Sequence, residues 1–234
     1  MQTTIEQLSE TIGVAVSPEH RFGTDAFLLA DFAAPRHKDK VCDLGTGCGI
    51  IPLYLMKRYQ PAHCTGVEIQ RQAVEQFREG IAYSGLEGVL TAVHADLCAL
   101  EGKLEAGSFD LVTCNPPYKA NGAGIESGND SERIARHEIM CDIRSVCAAA
   151  GRLLRFGGRV CLCQRPERLA DVLCAMREYR LEPKRLQMVA KNEKSAPWLF
   201  LVEGKKGSKP FLQVLPPLLI EQGGSYFGLA NQPG

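Results

Sequence analysis

Asn115-Pro116-Pro117-Tyr118 follows directly on Phe109-Asp110-Leu111-Val112-Thr113-Cys114, an apolar run of strand length. Two consecutive prolines cannot donate to a ladder, so they end a strand and stiffen the backbone beside Asn115. An exocyclic amine on a nucleobase is a poor nucleophile, because its lone pair is delocalised into the ring. The side-chain oxygen of Asn115 and the carbonyl of Pro116 can accept both N–H bonds of such an amine. They would aim its lone pair at a transferable methyl group and stabilise the positive charge that grows on the nitrogen. Tyr118 adds a ring on which an extruded base can stack. The competing role is structural, a Pro-Pro turn capped by an asparagine.

A second constellation opens with Asp43-Leu44-Gly45-Thr46-Gly47-Cys48-Gly49, between a strand-like run and the helical run Ile50-Ile51-Pro52-Leu53-Tyr54-Leu55. Glycines there let backbone approach a ligand where a Cβ would collide, although strand-to-helix turns also need glycine for their own geometry. Dinucleotide enzymes usually open this turn with glycine and seat a pyrophosphate on the helix N-terminus. The carboxylate of Asp43 would repel a pyrophosphate and suits the cationic amino group of a methionyl moiety. The turn therefore favours S-adenosylmethionine over a nicotinamide dinucleotide. Glu68, 23 residues after Gly45, ends the next strand-like run, where a carboxylate can accept from both hydroxyls of a ribose. Asp96, in His94-Ala95-Asp96-Leu97, can accept from an adenine amino group or simply cap a helix.

These residues need a scaffold that brings strand ends together. From position 40, strand-like runs at 41–44, 64–68, 90–94, 109–114 and 159–163 alternate with helical ones. Ile139, Ile143, Val146, Cys147, Ala150, Leu153 and Leu154 form one apolar stripe at helical spacing, and Leu169, Val172, Leu173 and Met176 another after Pro166. The alternation predicts a parallel sheet with helices on both faces. Runs at 185–189 and 198–203 are separated too briefly for a crossover helix, so they must pair antiparallel. The fold class expected is α/β: a Rossmann-like, seven-stranded, mostly parallel sheet with an antiparallel last strand. Residues 1–38 are expected to pack over the cofactor site as an N-terminal extension, 39–220 to form the catalytic domain and 221–234 to be a tail. The polar, glycine-rich segment 119–131 has no periodicity and reads as a lid over the catalytic strand.

Composition narrows the class. The chain has 234 residues, 45% of them apolar and 23% charged, enough for one globular domain and unlike a disordered or fibrous chain. Its 27 basic and 27 acidic residues cancel, yet residues 151–209 hold 14 basic against 6 acidic, so a polyanion would meet the C-terminal half. Arg133, Arg136, Arg165, Arg168, Lys184, Arg185, Lys191 and Lys194 are the candidate phosphate contacts. No apolar run reaches membrane-spanning length and the start lacks the pattern of a signal peptide, so a cytoplasmic protein is expected. The ten cysteines include no CxxC pair, and Cys161 and Cys163 are expected to direct their thiols to opposite faces of a strand. They read as reduced core residues, and no metal is expected.

Together, DLGTGCG from Asp43, the acidic Glu68, Ala95-Asp96 and Asn115 to Tyr118 resemble class I S-adenosylmethionine-dependent N-methyltransferases. Arg21-Phe22-Gly23-Thr24-Asp25-Ala26-Phe27-Leu28-Leu29-Ala30, Ala135-Arg136-His137-Glu138 and Arg165-Pro166-Glu167-Arg168-Leu169 are similar more narrowly to bacterial enzymes that methylate the adenine N6 at position 37 of a valine tRNA. The resemblance covers roughly residues 11–220. It implies that Asp43, Gly45 and Gly47 hold the methionyl part, Glu68 the ribose, and Asp96 with the Leu97 amide the adenine. Thr46, Gly49, Ile69 and Asn115 would complete the cofactor contacts. Thr24 and Asp25 would close the site, though they could equally cap a helix from Ala26 to Ala33. S-adenosyl-L-methionine is the implied cofactor and tRNA the implied partner, met by the basic C-terminal half and the 119–134 loop, with a monomer favoured. Relatives of the wider family also methylate glutamine side chains. A silent S-adenosylmethionine- or RNA-binding module is the rival outside enzymes.

Overall fold

The computed structural model describes residues 3–18, 21–116 and 143–220. An antiparallel hairpin, β1 (Thr4–Gln7) and β2 (Gly13–Val16), and helix α1 (Thr24–Ala33) come first. Seven strands then build the main sheet: β3 (Lys40–Leu44), β4 (His63–Glu68), β5 (Leu90–His94), β6 (Phe109–Cys114), β7 (Leu154–Gln164), β8 (Leu181–Ala190) and β9 (Leu199–Lys206). Helices α2 (Ile50–Arg58) and α3 (Arg71–Ser84) link β3, β4 and β5, while α4 (Ile143–Leu153) and α5 (Leu169–Glu178) flank β7 in sequence.

Across the sheet the strands run β5-β4-β3-β6-β7-β9-β8. β3 to β7 are parallel, and β9 is antiparallel to both of its neighbours, β7 and β8. Two short strands, β10 (Gln213–Val214) and β11 (Leu218–Leu219), add parallel to β8 along its outer side. All seven expected strands form, and the two short ones lie in the last residues before the tail. β7 begins five residues earlier than the sequence suggests. Gly157 takes φ +77° within this added stretch, and the pairing with β6 is irregular between Phe109 and Leu111 and resumes on both sides.

The apolar stripes face inward as their spacing demands. Ile143, Val146, Cys147, Ala150 and Leu153 are buried on α4, whereas Leu154, read as the last residue of that stripe, opens β7. One face of the sheet packs against α1, α2 and α3 through Phe27, Leu53, Phe77, Cys161 and Leu201. The other packs against α4 and α5 through Leu44, Val112, Val146, Leu162 and Met176. Cys161 and Cys163 both lie in the first layer, with Leu162 in the second. Their expected placement on opposite faces is corrected: residues two apart on a strand point the same way.

The last turn of α1 is tied to the sheet by a buried charge cluster. Glu203, 8% exposed, accepts through Oε2 from Arg159 at 2.8 Å and Arg185 at 2.7 Å. Those guanidiniums donate onward to the carbonyls of Ala33 and Phe32, and Arg185 lies 4.6 Å from the Phe32 ring centroid. Against the cost of burial, the two arginines hold the Glu203 carboxyl below the usual carboxylate range. A carboxyl so depressed stabilises the fold at neutral pH and loses that contribution as pH falls through its folded pKa. Glu203→Gln takes from the half-buried Arg185 its carboxylate partner and leaves Arg159 only Asp39, 3.6 Å away. It is expected to cost about 3 kcal/mol, or roughly 6–12 °C in Tm by thermal unfolding at pH 7, with the deficit shrinking toward pH 4.

Candidate active site

β3 pairs with β4 on one side and β6 on the other, so successive crossovers leave its carboxyl end in opposite directions and open a crevice there. Asp43, near that end, is 1% exposed. Its register partner on β6 is Thr113, whose hydroxyl donates to Oδ1 at 2.7 Å. The other oxygen, Oδ2, is buried and has no hydrogen-bond partner among the described residues. Burial pushes the Asp43 carboxyl up to about 7, against the pull of the Thr113 hydroxyl. An unmet buried acceptor is costly, and a cationic donor from a ligand would satisfy it.

The glycine turn beside it is pinned to β4, with the N–H groups of Gly45 and Thr46 donating to the Val67 carbonyl at 2.9 and 3.0 Å. Gly45 and Gly47 take φ of +69° and +55°, and a Cβ built on either meets nothing within 4 Å. Their open side is where a ligand can lie on bare backbone. Gly49 differs: at φ +82° its Cβ would stand 1.9 Å from the Phe77 ring, and its N–H donates to the Thr46 carbonyl. It packs the turn onto α3. Gly47→Ala is therefore expected to leave the fold within about 1–2 kcal/mol of wild type while its new methyl group obstructs cofactor binding. Gly49→Ala adds overpacking to the backbone strain and is expected to cost more than about 2 kcal/mol. Thermal unfolding alongside cofactor titration of the two variants separates these effects.

Glu68 ends β4 with 7% exposure. Its Oε2 accepts from the Gly47 N–H and its Oε1 from the Gln70 N–H, each at 2.9 Å, so the carboxylate is already held against the turn. Ile69 beyond it is 40% exposed, a large apolar side chain facing solvent at a strand end. At the end of β5, Asp96 Oδ1 accepts from the Cys98 N–H at 2.8 Å, so this oxygen takes the capping role. Leu97 follows it, half-buried.

Asn115 emerges from β6 beside β7. Cys114 pairs with Leu162, which puts the next residues level, and the Cys163 thiol donates to Asn115 Oδ1 at 3.0 Å. Pro116 is buried. Pro117, Tyr118, the 119–134 loop, Arg133 and Arg136 lie outside the described residues. Helix α1 starts at Thr24, two residues before the expected Ala26, with Gly23 as its N-cap and no side-chain capping bond. Asp25 sits in its first turn and accepts from the Ala26 N–H at 3.0 Å, so the capping role does not fall to Thr24.

The crevice thus gathers Asp43, Gly45, Thr46, Gly47, Glu68 and Asn115, with Ile69, Asp96 and Leu97 at the ends of the neighbouring strands. Thr113 and Cys163 hold two of these side chains and carried no signal in the sequence, because their roles depend on which strands are neighbours. Of the basic candidates, Arg165, Lys191 and Lys194 follow β7 and β8 at this same carboxyl edge. Arg168 pairs with Asp171 at 2.8 Å, Arg185 points into the Glu203 cluster, and Lys184 donates to the Lys209 carbonyl in the first half of β8. Among the described residues no group of three or more His, Cys, Asp or Glu side chains is gathered as a metal site requires. No helix among them is long and apolar enough to cross a membrane.

The strand order and the glycine turn at its switch point define a Rossmann-like methyltransferase, a class whose cofactor is S-adenosyl-L-methionine. The chain belongs to the methyltransferase small domain family, whose model matches residues 12–165. Among curated relatives, a protein of Aeromonas hydrophila named tRNA1(Val) (adenine(37)-N6)-methyltransferase is 34% identical over 69% of this chain and 66% of its own length. A protein of the same name from Porphyromonas gingivalis is 31% identical over 72% of this chain and 68% of its own. The chain thus spans about two thirds of the length of these relatives. Solved structures share the fold. A protein of Agrobacterium tumefaciens described as a predicted O-methyltransferase superposes with a TM-score of 0.68 at 22% identity, covering 83% of this chain and 86% of that one. The geranyl diphosphate C-methyltransferase of Streptomyces coelicolor, solved with S-adenosyl-L-homocysteine, gives 0.57 at 12% identity over 78% and 76%.

Proposed function

We propose that this protein transfers the methyl group of S-adenosyl-L-methionine to the exocyclic N6 amine of an adenine in tRNA, at a position equivalent to adenine 37 of tRNA1(Val). The name shared by its relatives at about one-third identity carries the choice of acceptor. The site suits the chemistry: a buried, unpartnered Asp43 oxygen and a bare-backbone turn for a methionyl group, with an amine-accepting Asn115 across the crevice.

The bound cofactor supplies an electrophilic methyl group on a sulfonium. Asp43 would receive its ammonium group, and Gly45, Thr46 and Gly47 would line the methionyl chain. Glu68 would accept from the ribose hydroxyls. Ile69 would pack on the adenine, while Asp96 and the Leu97 amide would bond its edge. Thr24 and Asp25 would close the site from the N-terminal extension, residues 1–38, over the catalytic domain of 39–220. Asn115 Oδ1 and the Pro116 carbonyl would accept the two N–H bonds of the target amine, with Pro117 stiffening the turn and Tyr118 stacking on the base. So aimed, the nitrogen would take up the methyl group that the bound cofactor supplies, leaving S-adenosyl-L-homocysteine, and would release one proton to solvent. Positioning supplies most of the acceleration. The basic C-terminal half and the 119–134 loop would hold the tRNA, the tail from 221 standing apart, in a cytoplasmic monomer.

The test is transfer of labelled methyl to bulk bacterial tRNA lacking this modification, followed by nuclease digestion and nucleoside mass analysis. N6-methyladenosine is the expected product. Label appearing instead in a release-factor protein supplied alongside would move the acceptor to a glutamine amide. Cofactor binding without transfer to either acceptor would reject the proposed reaction.

A further inference from the structure

One of the cations at the carboxyl edge, Arg165, lies against the chain's only tryptophan, and Lys191 and Lys194 stand on the turn that leads to it. Trp198 immediately precedes β9, half-buried against the layer of α1, α2 and α3, and its backbone N–H donates to the Val189 carbonyl at 3.0 Å. Arg165, the first residue after β7, lays its guanidinium 5.8 Å from the indole centroid and donates to the Trp198 carbonyl at 3.2 Å. Its backbone N–H donates to the Gln164 side chain at 2.8 Å, so this residue is tied at both ends. The turn leading to Trp198 is also pre-formed. Asn192 Oδ1 accepts from the Lys194 N–H at 3.1 Å and from the Ser195 hydroxyl at 2.8 Å. Lys191 and Lys194 stand exposed on that turn, with Glu193 between them and Glu167 beyond Arg165 as the acidic neighbours.

Register places this ledge relative to the reacting residues. Gln164 pairs with Phe200 and Val189 with Leu199, while Cys114 pairs with Leu162. The ledge therefore stands at the same end of the sheet as Asn115, with Arg165 one strand away, Trp198 two and the lysines three, roughly 5–15 Å in all. That separation leaves room for the reacting nucleotide over Asn115 and its neighbour on the ledge.

Resting on the tRNA reading above, we infer that the Arg165–Trp198 stack is the docking platform for a nucleotide flanking the methylated adenine, with Lys191 and Lys194 meeting the adjoining phosphates. The Arg165 side is exposed, and a guanidinium held over an indole offers a planar surface that any base can stack on; single-stranded loops of RNA are recognised through such unstacked bases. Cations on a rigid turn add the backbone contacts that fix register without reading sequence. A base must leave its own stack to reach Asn115, and a platform nearby compensates the neighbour that loses its stacking partner.

Because Trp198 is the sole tryptophan, its emission reports on this ledge directly. The experiment titrates the full chain with unmodified bulk tRNA, following tryptophan fluorescence, filter binding and methylation together. Saturable quenching with the same midpoint as filter binding is expected. Trp198→Leu and Arg165→Gln are each expected to raise KM for tRNA at least tenfold with kcat and cofactor Kd unchanged, and Trp198→Phe to restore most of the affinity. Lys194→Gln, by contrast, is expected to flatten the salt dependence of log K by about 0.7, the share of one phosphate contact. If tRNA binds and is methylated with no change in emission and with unaltered KM in both variants, the platform is refuted while the tRNA reading stands. If the wild-type chain neither binds nor methylates tRNA, both fail.

Discussion

Replacing Asn115 with alanine is expected to abolish methyl transfer, with kcat falling at least about 100-fold, while the Kd for S-adenosyl-L-methionine stays close to wild type. The size of the effect follows from what the side chain does. Pro116 can still accept one N–H of the target amine, but the second bond, and with it the aim of the lone pair, is lost. Removal of one preorganised partner of a developing charge typically costs about 10²–10³ in kcat. The cofactor should be indifferent, because Asp43, the glycine turn and Glu68 belong to other strands. The Cys163 thiol, which donates to Asn115 Oδ1 at 3.0 Å, refines the expectation. Cys163→Val removes that bond without removing Asn115 Oδ1, and a loss of up to about tenfold in kcat is expected, with Cys163→Ser recovering most of it. Single-turnover transfer and cofactor titration of the three variants provide the check. An Asn115→Ala enzyme that still turns over at near wild-type rate would remove the proposed mechanism.

The second large effect belongs to Asp43. Asp43→Asn is expected to weaken the cofactor about 10- to 150-fold at pH 8, the equivalent of the ~1.5–3 kcal/mol of a charge-assisted hydrogen bond. The pH dependence has a defined sign. Burial raises this carboxyl to about 7 in the ligand-free protein, whereas only its ionised form pairs with an ammonium group. Wild-type affinity should therefore rise from pH 5.5 to 7.5 and then level off, and the variant should show no such rise. Stability runs the other way. A carboxyl whose folded pKa is raised stabilises the fold fully below its unfolded pKa and loses that contribution as pH rises through about 7. The ligand-free wild type should thus lose Tm relative to Asp43→Asn as pH rises from about 4 to about 7 and then run level with it to pH 8.5, while saturating cofactor at pH 8 favours the wild type. Calorimetry across that range, with and without cofactor, separates a ligand-pairing carboxylate from a merely structural one. Parallel pH profiles for the two proteins would exclude Asp43 from the site.

Much of this arrangement is local and therefore legible in the chain. Gly45 and Gly47 announce a turn because positive φ is a property of single residues, and the two prolines after Asn115 end a strand wherever that strand lies. Alternation of strand and helix periods implies the doubly wound sheet, and the brief gap between β8 and β9 implies their antiparallel pairing. Acidic residues at strand ends were recognisable for a similar reason, since in such sheets the carboxyl ends share one edge.

What the chain alone could not decide depends on neighbours distant in sequence. Thr113 meets Asp43 across 70 positions, and Cys163 meets Asn115 across 48. Both contacts exist only because β6 inserts between β3 and β7 in one register. The eight candidate cations were equivalent in sequence. The tertiary structure turned Arg185 inward onto Glu203 and left Arg165 beside Trp198, because one lies midway along the sheet against α1 and the other just past a strand end. Gly49 and Gly47 look alike as letters, yet the ring of Phe77 fills the space over one and nothing occupies the space over the other. Residue types determined which chemistry was possible; strand order and packing decided which atoms were left facing the crevice, since burial and pairing are properties of the assembled sheet.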